Sequence, residues 1–252
     1  MGELVDLKDK IRKYYIYTKA ELTGLIFSII IIGFVISFKE WGTSQFNTRI
    51  GLLNFFNAVL IVALSFLVND SAKRIWGFAI GYRVEYKAEA YGLFLSLFIA
   101  FISNGRLWLI VPSSFIIHHM AGHRLGFFRY DINYWAQALI AWAGPLANLC
   151  LMILLKILGV FAANPLIQKA ILFNAVYAIT SMLPIPPLDG SKIYFGSRMF
   201  YSFILPFMIA ACILLIIDIG VILALSLSLL IGIILWITYY SVFERKYWHG
   251  GR

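Results

Sequence analysis

The segment Leu-Pro-Ile-Pro-Pro-Leu-Asp-Gly occupies residues 183–190, at the end of an apolar stretch. Proline lacks a backbone N–H and clashes with the preceding helical turn, so this cluster of prolines predicts the end of a helix. The backbone therefore opens where Asp189 arrives. Irregular backbone at membrane depth is tolerated only where it is buried in protein or lines a cavity. An acidic residue at that depth marks a candidate functional site.

The composition of the chain indicates a membrane protein. Of its 252 residues, 62% are hydrophobic and 13% are charged, which predicts a single membrane domain rather than a soluble domain with an anchor. The net charge of +9 is spread over short loops, as expected for residues that set orientation in a bilayer. We therefore expect the lipid bilayer as a partner and no nucleic acid. Cys150 and Cys212 lie in apolar segments, which favours neither a disulfide nor a metal role.

The apolar runs predict an all-α polytopic membrane protein with about six transmembrane helices and a re-entrant or hairpin element. A segment of mixed charge at residues 1–21 predicts an amphipathic cytoplasmic helix, and residues 22–252 predict one membrane domain. Each run is long enough, at 1.5 Å per residue, to approach the thickness of the hydrocarbon core. The expected spans are about 22–38, 51–68 with a helical continuation to about 80, 133–155, 168–183, 200–217 and 219–241, with a turn at Asp218 between the last two.

Two segments depart from this helical pattern. Polar and apolar residues roughly alternate over residues 81–88, which predicts a short strand at the membrane surface. Residues 91–118 are apolar but are interrupted by Ser-Asn-Gly-Arg at 103–106 and by Pro112. Neither half is long enough to span a bilayer alone, so this segment is predicted to be the re-entrant or hairpin element.

The distribution of basic residues predicts the orientation. With six crossings, seventeen of the 21 lysines and arginines fall in segments on the same side as the N-terminus, and four fall on the other side. Cytoplasmic loops carry an excess of such residues. We therefore expect cytoplasmic N- and C-termini. In the absence of an evident targeting signal, a prokaryotic plasma membrane is the expected location.

A second motif precedes the proline cluster by about forty residues. Ala-Gly-Pro-Leu-Ala-Asn at residues 143–148 places small residues and a polar amide in an apolar helix. Together the two motifs resemble the site-2 protease family of intramembrane zinc metalloproteases, over about residues 51–198. The resemblance implies that Asp189 occupies a zinc-ligand position. It also implies a substrate or partner groove, at the positions Asn148, Ser181, Pro184 and Pro186.

The zinc-binding H-E-x-x-H motif of that family is degenerate in this chain. Its position, upstream of the strand, is occupied by Asn69, Asp70 and Lys73 in place of the first histidine, the glutamate and the second histidine. An ammonium group repels a cation and offers no lone pair, so Lys73 is incompatible with a zinc site. A buried carboxylate requires a counter-charge. We therefore predict a Lys73–Asp189 ion pair, with Asn69 and Asp70 completing a polar network. The alternative is a solvated interfacial turn over residues 69–74.

A histidine cluster offers a different metal site. His119 and His123 have the i, i+4 spacing that suits a metal on a helix. Met120 occupies the position of the general base, and the surrounding glycines indicate a loop. The cluster, which also contains His118, is therefore interpreted first as interfacial, with adventitious metal binding as the alternative.

Three functions follow from these motifs. The first is a pseudoprotease that binds membrane-embedded or hydrophobic protein segments, with no cofactor and no catalytic residues. The second is an active intramembrane zinc metalloendopeptidase with His119, His123 and Asp189 as a rearranged ligand set. The third is a small transporter, because broken helices and a carboxylate near the bilayer midplane also occur in transporters.

Overall fold

The computed structural model describes residues 2–42, 46–120, 133–162, 164–217 and 219–245, and side chains from residue 5 onward. These residues are mostly helical, with one short antiparallel sheet. In chain order the elements are α1 (Gly2–Tyr14), α2 (Lys19–Ser37), α3 (Thr48–Ile80), β1 (Tyr82–Ala88), α4 (Ala90–Ile102), β2 (Ser113–His119), α5 (Tyr134–Phe161), α6 (Pro165–Ser181), α7 (Asp189–Gly196), α8 (Arg198–Ile216), α9 (Val221–Tyr239) and a π-helical turn (Tyr240–Glu244).

Five of the described helices are long and apolar enough to cross a membrane. They are α2, α3, α5, α8 and α9 with its π-helical extension. These helices are consistent with the expected polytopic, mostly helical membrane protein. The run expected at 168–183 forms α6, which has 17 residues. Its length of about 25 Å is less than the ~30 Å hydrocarbon core.

The longest helix, α3, carries the residues Asn69, Asp70 and Lys73. It has 33 residues and ends where Gly81 adopts a left-handed conformation with φ of 100°. Glycine adopts this conformation without the penalty that a Cβ imposes, which explains the position of the helix end. The helix continues through residues 69–74, and four polar residues of this segment, Asn69, Asp70, Lys73 and Arg74, are buried. The alternative of a solvated turn is therefore wrong.

The predicted strand is present as β1, and it pairs with a strand that the sequence did not predict. β2 runs antiparallel to β1, from the pair Tyr82–His119 to the pair Ala88–Ser113. Between them, α4 ends near Asn104 and Gly105, which have φ values of 52° and 70°. The chain then returns to form β2. The segment 91–118 is thus one helix and one strand. The sequence of β2 lacks the alternation of polar and apolar residues by which a strand is recognised.

The N-terminal segment differs from the predicted single helix over residues 1–21. α1 ends at Tyr14 and α2 begins at Lys19, so residues 19–21 belong to the first apolar helix. Thr18 and Glu21 form a capping box, in which each side chain accepts a hydrogen bond from the backbone N–H of the other residue. Glu21 is 2% exposed. The boundary expected after residue 21 is therefore wrong, because Glu21 lies in the packed interior.

The α5 helix brings the two motifs together, since it packs against α3, α6 and α7. After the proline cluster, the backbone at Gly190 packs closely against the backbone at the end of α6. A Cβ on Gly190 would lie 2.0 Å from the carbonyl oxygen of Met182, so the chain folds back tightly on the end of α6. This turn places Asp189 at the start of α7, facing α3.

Candidate functional site

Lys73 and Asp189 form a buried ion pair. The Nζ atom of Lys73 lies 2.6 Å from Oδ2 of Asp189, and the two side chains are 7% and 5% exposed. Lys73 comes from α3 and Asp189 from the first turn of α7, 116 residues later in the chain. The two side chains paired in the sequence analysis are thus in contact, and Asp189 has an ammonium group where the resemblance places zinc.

A glycine of the second motif makes room for this pair. A Cβ on Gly144 would lie 2.3 Å from Cε of Lys73 and 2.7 Å from Oδ1 of Asn69. Real Cβ atoms essentially never approach that closely. The Ala-Gly-Pro segment therefore lets α5 pack directly over the face of α3 that bears Asn69 and Lys73.

The groove positions named in the sequence analysis divide into two groups. Asn148 and Ser181 are buried, whereas Pro184 and Pro186 are exposed. The Ser181 hydroxyl donates to the carbonyl oxygen of Ala178 at 2.9 Å. Both polar atoms of the Asn148 amide, and Nδ2 of Asn69, are buried without a hydrogen-bond partner among the described residues. Unpaired buried amide atoms are costly in free energy, so these positions call for hydrogen-bond partners that the described residues do not supply.

Asp70 belongs to a different cluster from the one expected. Its Oδ2 atom accepts hydrogen bonds from Nε of Arg74 at 2.6 Å and from the hydroxyl of Tyr17 at 2.7 Å. Arg74 also donates through Nη2 to Glu21, and its guanidinium lies 4.0 Å from the centre of the Tyr17 ring. Since the side chain of Asp70 points to Arg74, the expected participation of Asp70 in the Lys73–Asp189 network is wrong.

This second cluster fixes the start of α2 against α3 and β1. Besides Arg74, Glu21 accepts the backbone N–H of Tyr86 at 2.9 Å. Two sequence signals for the cluster were present: the i, i+4 spacing of Asp70 and Arg74, and the Thr-x-x-Glu pattern of residues 18–21. Neither signal shows that the two helices meet.

A second lysine, which the sequence analysis did not identify, lies near the ion pair. Nζ of Lys192 donates to the carbonyl oxygen of Phe115 at 2.8 Å and to Ser114 Oγ at 3.0 Å. It lies 3.4 Å from the centre of the Phe115 ring, and Nζ of Lys73 lies 5.3 Å from the same centre. Phe115 on β2 is therefore a shared cation–π partner of two lysines.

The histidines of β2 lie apart from this pair. Nε2 of His118 is 2.9 Å from Oε2 of Glu85, and the ring of His119 is 4.9 Å from that of Tyr82. His119 belongs to a strand, so the helical i, i+4 geometry does not apply to it, and His123 lies outside the described residues. Within the described ranges, no group of three His, Cys, Asp or Glu residues could hold a metal ion.

The chain was compared with known proteins on sequence and structure. No protein-family model, curated protein or solved structure matches it. The function is therefore inferred from the site itself.

The site predicts a pH dependence of stability through Lys192. Burial lowers the pKa of Lys192 from 10.5 to about 8; the charge of Asp189 raises this pKa and that of Lys73 lowers it further. Because the pKa of Lys192 is lower in the folded state than in the unfolded state, the charged form of Lys192 destabilises the folded protein. This destabilisation is present in full below pH 8 and disappears as the pH rises above 10.5. We expect the free energy of unfolding to rise across this interval through Lys192.

The measurement is chemical unfolding of the wild type and of Lys192→Met at pH 7.5 to 10.5. The free energy of unfolding of the wild type, relative to that of Lys192→Met, should increase by about 2–3 kcal/mol as the pH rises, since one pKa unit is about 1.4 kcal/mol. Parallel pH profiles would contradict the expectation, because the other titrating groups are common to both proteins.

Proposed function

We propose that this chain is a site-2-protease-like membrane protein that lacks zinc-dependent catalysis and binds membrane-embedded or hydrophobic protein segments. The observation that carries the proposal is the Lys73–Asp189 contact of 2.6 Å. The ammonium group has no lone pair for a metal and already neutralises the carboxylate. Helices that zinc would join in a metalloprotease are joined by an ion pair in this chain.

Binding of a guest segment is supported by the polar groups beside the pair. A transmembrane guest that is locally unwound exposes backbone N–H and C=O groups, which require partners in an apolar medium. The unpaired amides of Asn69 and Asn148 supply two donors and one acceptor that fit this need. The exposed backbone around Pro184 and Pro186 leads from the surface to α7.

The zinc-peptidase alternative has less support. Its ligand set needs Asp189, whose Oδ2 is bound by Lys73, and His119, whose ring packs on Tyr82. The transporter alternative rests on the broken helix and on the Asp189 carboxylate, which is paired with Lys73. Neither gains a specific observation from the part of the chain that is described.

The proposal is tested on purified full-length protein in nanodiscs that contain a labelled single-span peptide. We expect the peptide to bind and to remain intact, and we expect zinc to be substoichiometric by elemental analysis after incubation with the metal. Stoichiometric zinc that is lost in Asp189→Asn, or cleavage of the peptide that a chelator abolishes, would contradict the proposal.

A designed variant tests the placement of the degenerate motif. Asn69→His with Lys73→His sets two imidazoles one helical turn apart, opposite Asp189, and should bind one zinc ion per chain. Asp70 is left unchanged because it holds Arg74 and Tyr17. The matched control, Asn69→His with Lys73→Met, lacks the second imidazole and should bind no zinc. A folded double-histidine variant that takes up no zinc would refute the placement.

A further inference from the structure

A cavity of about 280 Å³ lies where the outward face of the sheet meets the end of α1. It is remote in sequence from Asp189 and from the groove positions. Its lining combines one guanidinium, two imidazoles and one carboxylate with one aromatic and one apolar side chain, from the residues Tyr14, Arg83, Glu85, His118, His119 and Met120.

The strand register brings the side chains of Arg83 and His118 together. Arg83 on β1 lies directly opposite His118 on β2, so their side chains share one face of the sheet. Lys13 precedes Tyr14 in the chain, and its Nζ is 5.2 Å from the centre of the Tyr14 ring. Glu85 is the one carboxylate in the lining, and it is bound by His118 at 2.9 Å.

The guanidinium of Arg83 is incompletely paired. Its Nε–H is buried and has no acceptor among the described residues. A buried donor without an acceptor costs free energy, and the cost is greater when the donor is charged. Other parts of the Arg83 side chain, which is only partly buried, line the cavity. The planar fork of arginine is suited to two oxygens of one oxyanion, such as those of a phosphoryl group.

We propose that this cavity is a phosphate-binding site, in which Arg83 donates to a phosphoryl oxygen and the imidazoles of His118 and His119 form part of the same lining. The phosphoryl group belongs either to an anionic phospholipid headgroup or to a soluble phosphate compound. The cavity adjoins the end of α3, a helix long and apolar enough to cross the membrane, so both sources can reach it. The site is independent of the proposed binding of protein segments.

The test uses the full chain in nanodiscs of phosphatidylcholine alone or mixed with phosphatidylglycerol. Sodium phosphate is compared with sodium chloride at equal ionic strength, and the thermal midpoint is recorded. Phosphate at roughly tenfold excess over its Kd should raise the Tm by about 3–6 °C in phosphatidylcholine. Arg83→Gln should abolish the shift and His118→Gln should reduce it. The matched control is Lys87→Gln, on the same outward face, where Lys87 is 3.6 Å from Glu89; it should retain the shift.

The two membranes distinguish the sources. If the ligand is a lipid headgroup, phosphatidylglycerol raises the Tm of the wild type over that of Arg83→Gln, and added phosphate has no further effect. If the ligand is soluble, phosphate gives the same shift in both membranes. The proposal is overturned by the absence of any shift from phosphate or phosphatidylglycerol, by an undiminished shift in folded Arg83→Gln, or by an equal loss in Lys87→Gln.

Discussion

Asp189→Asn is expected to destabilise the protein by about 3–5 kcal/mol, the cost of removing one partner of a buried ion pair. The change is nearly isosteric, so packing around α7 is preserved and the charge alone is lost. Lys73 would remain 7% exposed without a buried counter-charge, with the Phe115 ring 5.3 Å from its Nζ. Equilibrium unfolding in lipid nanodiscs measures the loss, provided that refolding gives the same curve.

A double-mutant cycle separates the pair from its surroundings. Lys73→Met alone should also destabilise, because it leaves the Asp189 carboxylate buried without a cation. Lys73→Met combined with Asp189→Asn should recover more than half of the summed losses, since no buried charge is then left at this pair. Lys87→Gln, which breaks an exposed pair, should change stability by less than about 1 kcal/mol. Additive losses in the double variant would show that the two residues do not act as a pair.

Arg74→Met is expected to have an effect as large, of about 3–5 kcal/mol or more, because it leaves two buried carboxylates facing each other. Arg74 is fully buried and joins Asp70, Glu21 and the Tyr17 ring. Without the guanidinium, Glu21 and Asp70 repel, and the start of α2 loses its attachment to α3. The loss should be visible both in unfolding and in faster exchange of the Tyr86 amide, which donates to Glu21.

Arg74→Lys tests whether charge alone is sufficient. A lysine cannot reproduce the donation of Nε to Asp70 together with that of Nη2 to Glu21, so this variant should remain substantially destabilised. Glu21→Gln is the milder comparison, because the amide retains an acceptor oxygen for the Tyr86 N–H. If Arg74→Lys were as stable as the wild type, the cluster would be held by net charge rather than by the fork of the guanidinium.

The two ion clusters lie on different sides of α3 and contact different elements. Asn69 and Lys73 face α5 and α7, whereas Asp70 and Arg74 face α2 and β1. The i, i+4 spacing within each pair places its members on one side of α3. One side thus joins the helices of the candidate site, and the other attaches the N-terminal segment.

The local features of the fold were predictable from the sequence. Apolar runs predicted the long helices, alternation predicted β1, and the proline cluster predicted the break before Asp189. The resemblance to the site-2 protease family, which places residues 69–73 at its zinc-binding motif, implied that Lys73 and Asp189 would meet. The helices, the strand and the helix break depend on residues that are neighbours in the sequence. The ion pair depends on the requirement that a buried charge have a counter-charge. Both can be recognised in a single sequence.

Only the tertiary structure decided which partners the remaining residues have. Asp70 was expected in the network of Lys73 and Asp189, but its carboxylate instead binds Arg74 on the same helix and Tyr17, which the N-terminal segment brings to α3. β2 became a strand because β1 was there to pair with it, and Lys192 came to share Phe115 with Lys73 through that strand. The physical reason is that contacts between distant segments depend on how helices cross, which no local pattern encodes. The sequence by itself determined that Asp189 needed a cation; the fold decided the surroundings in which Lys73 supplies it.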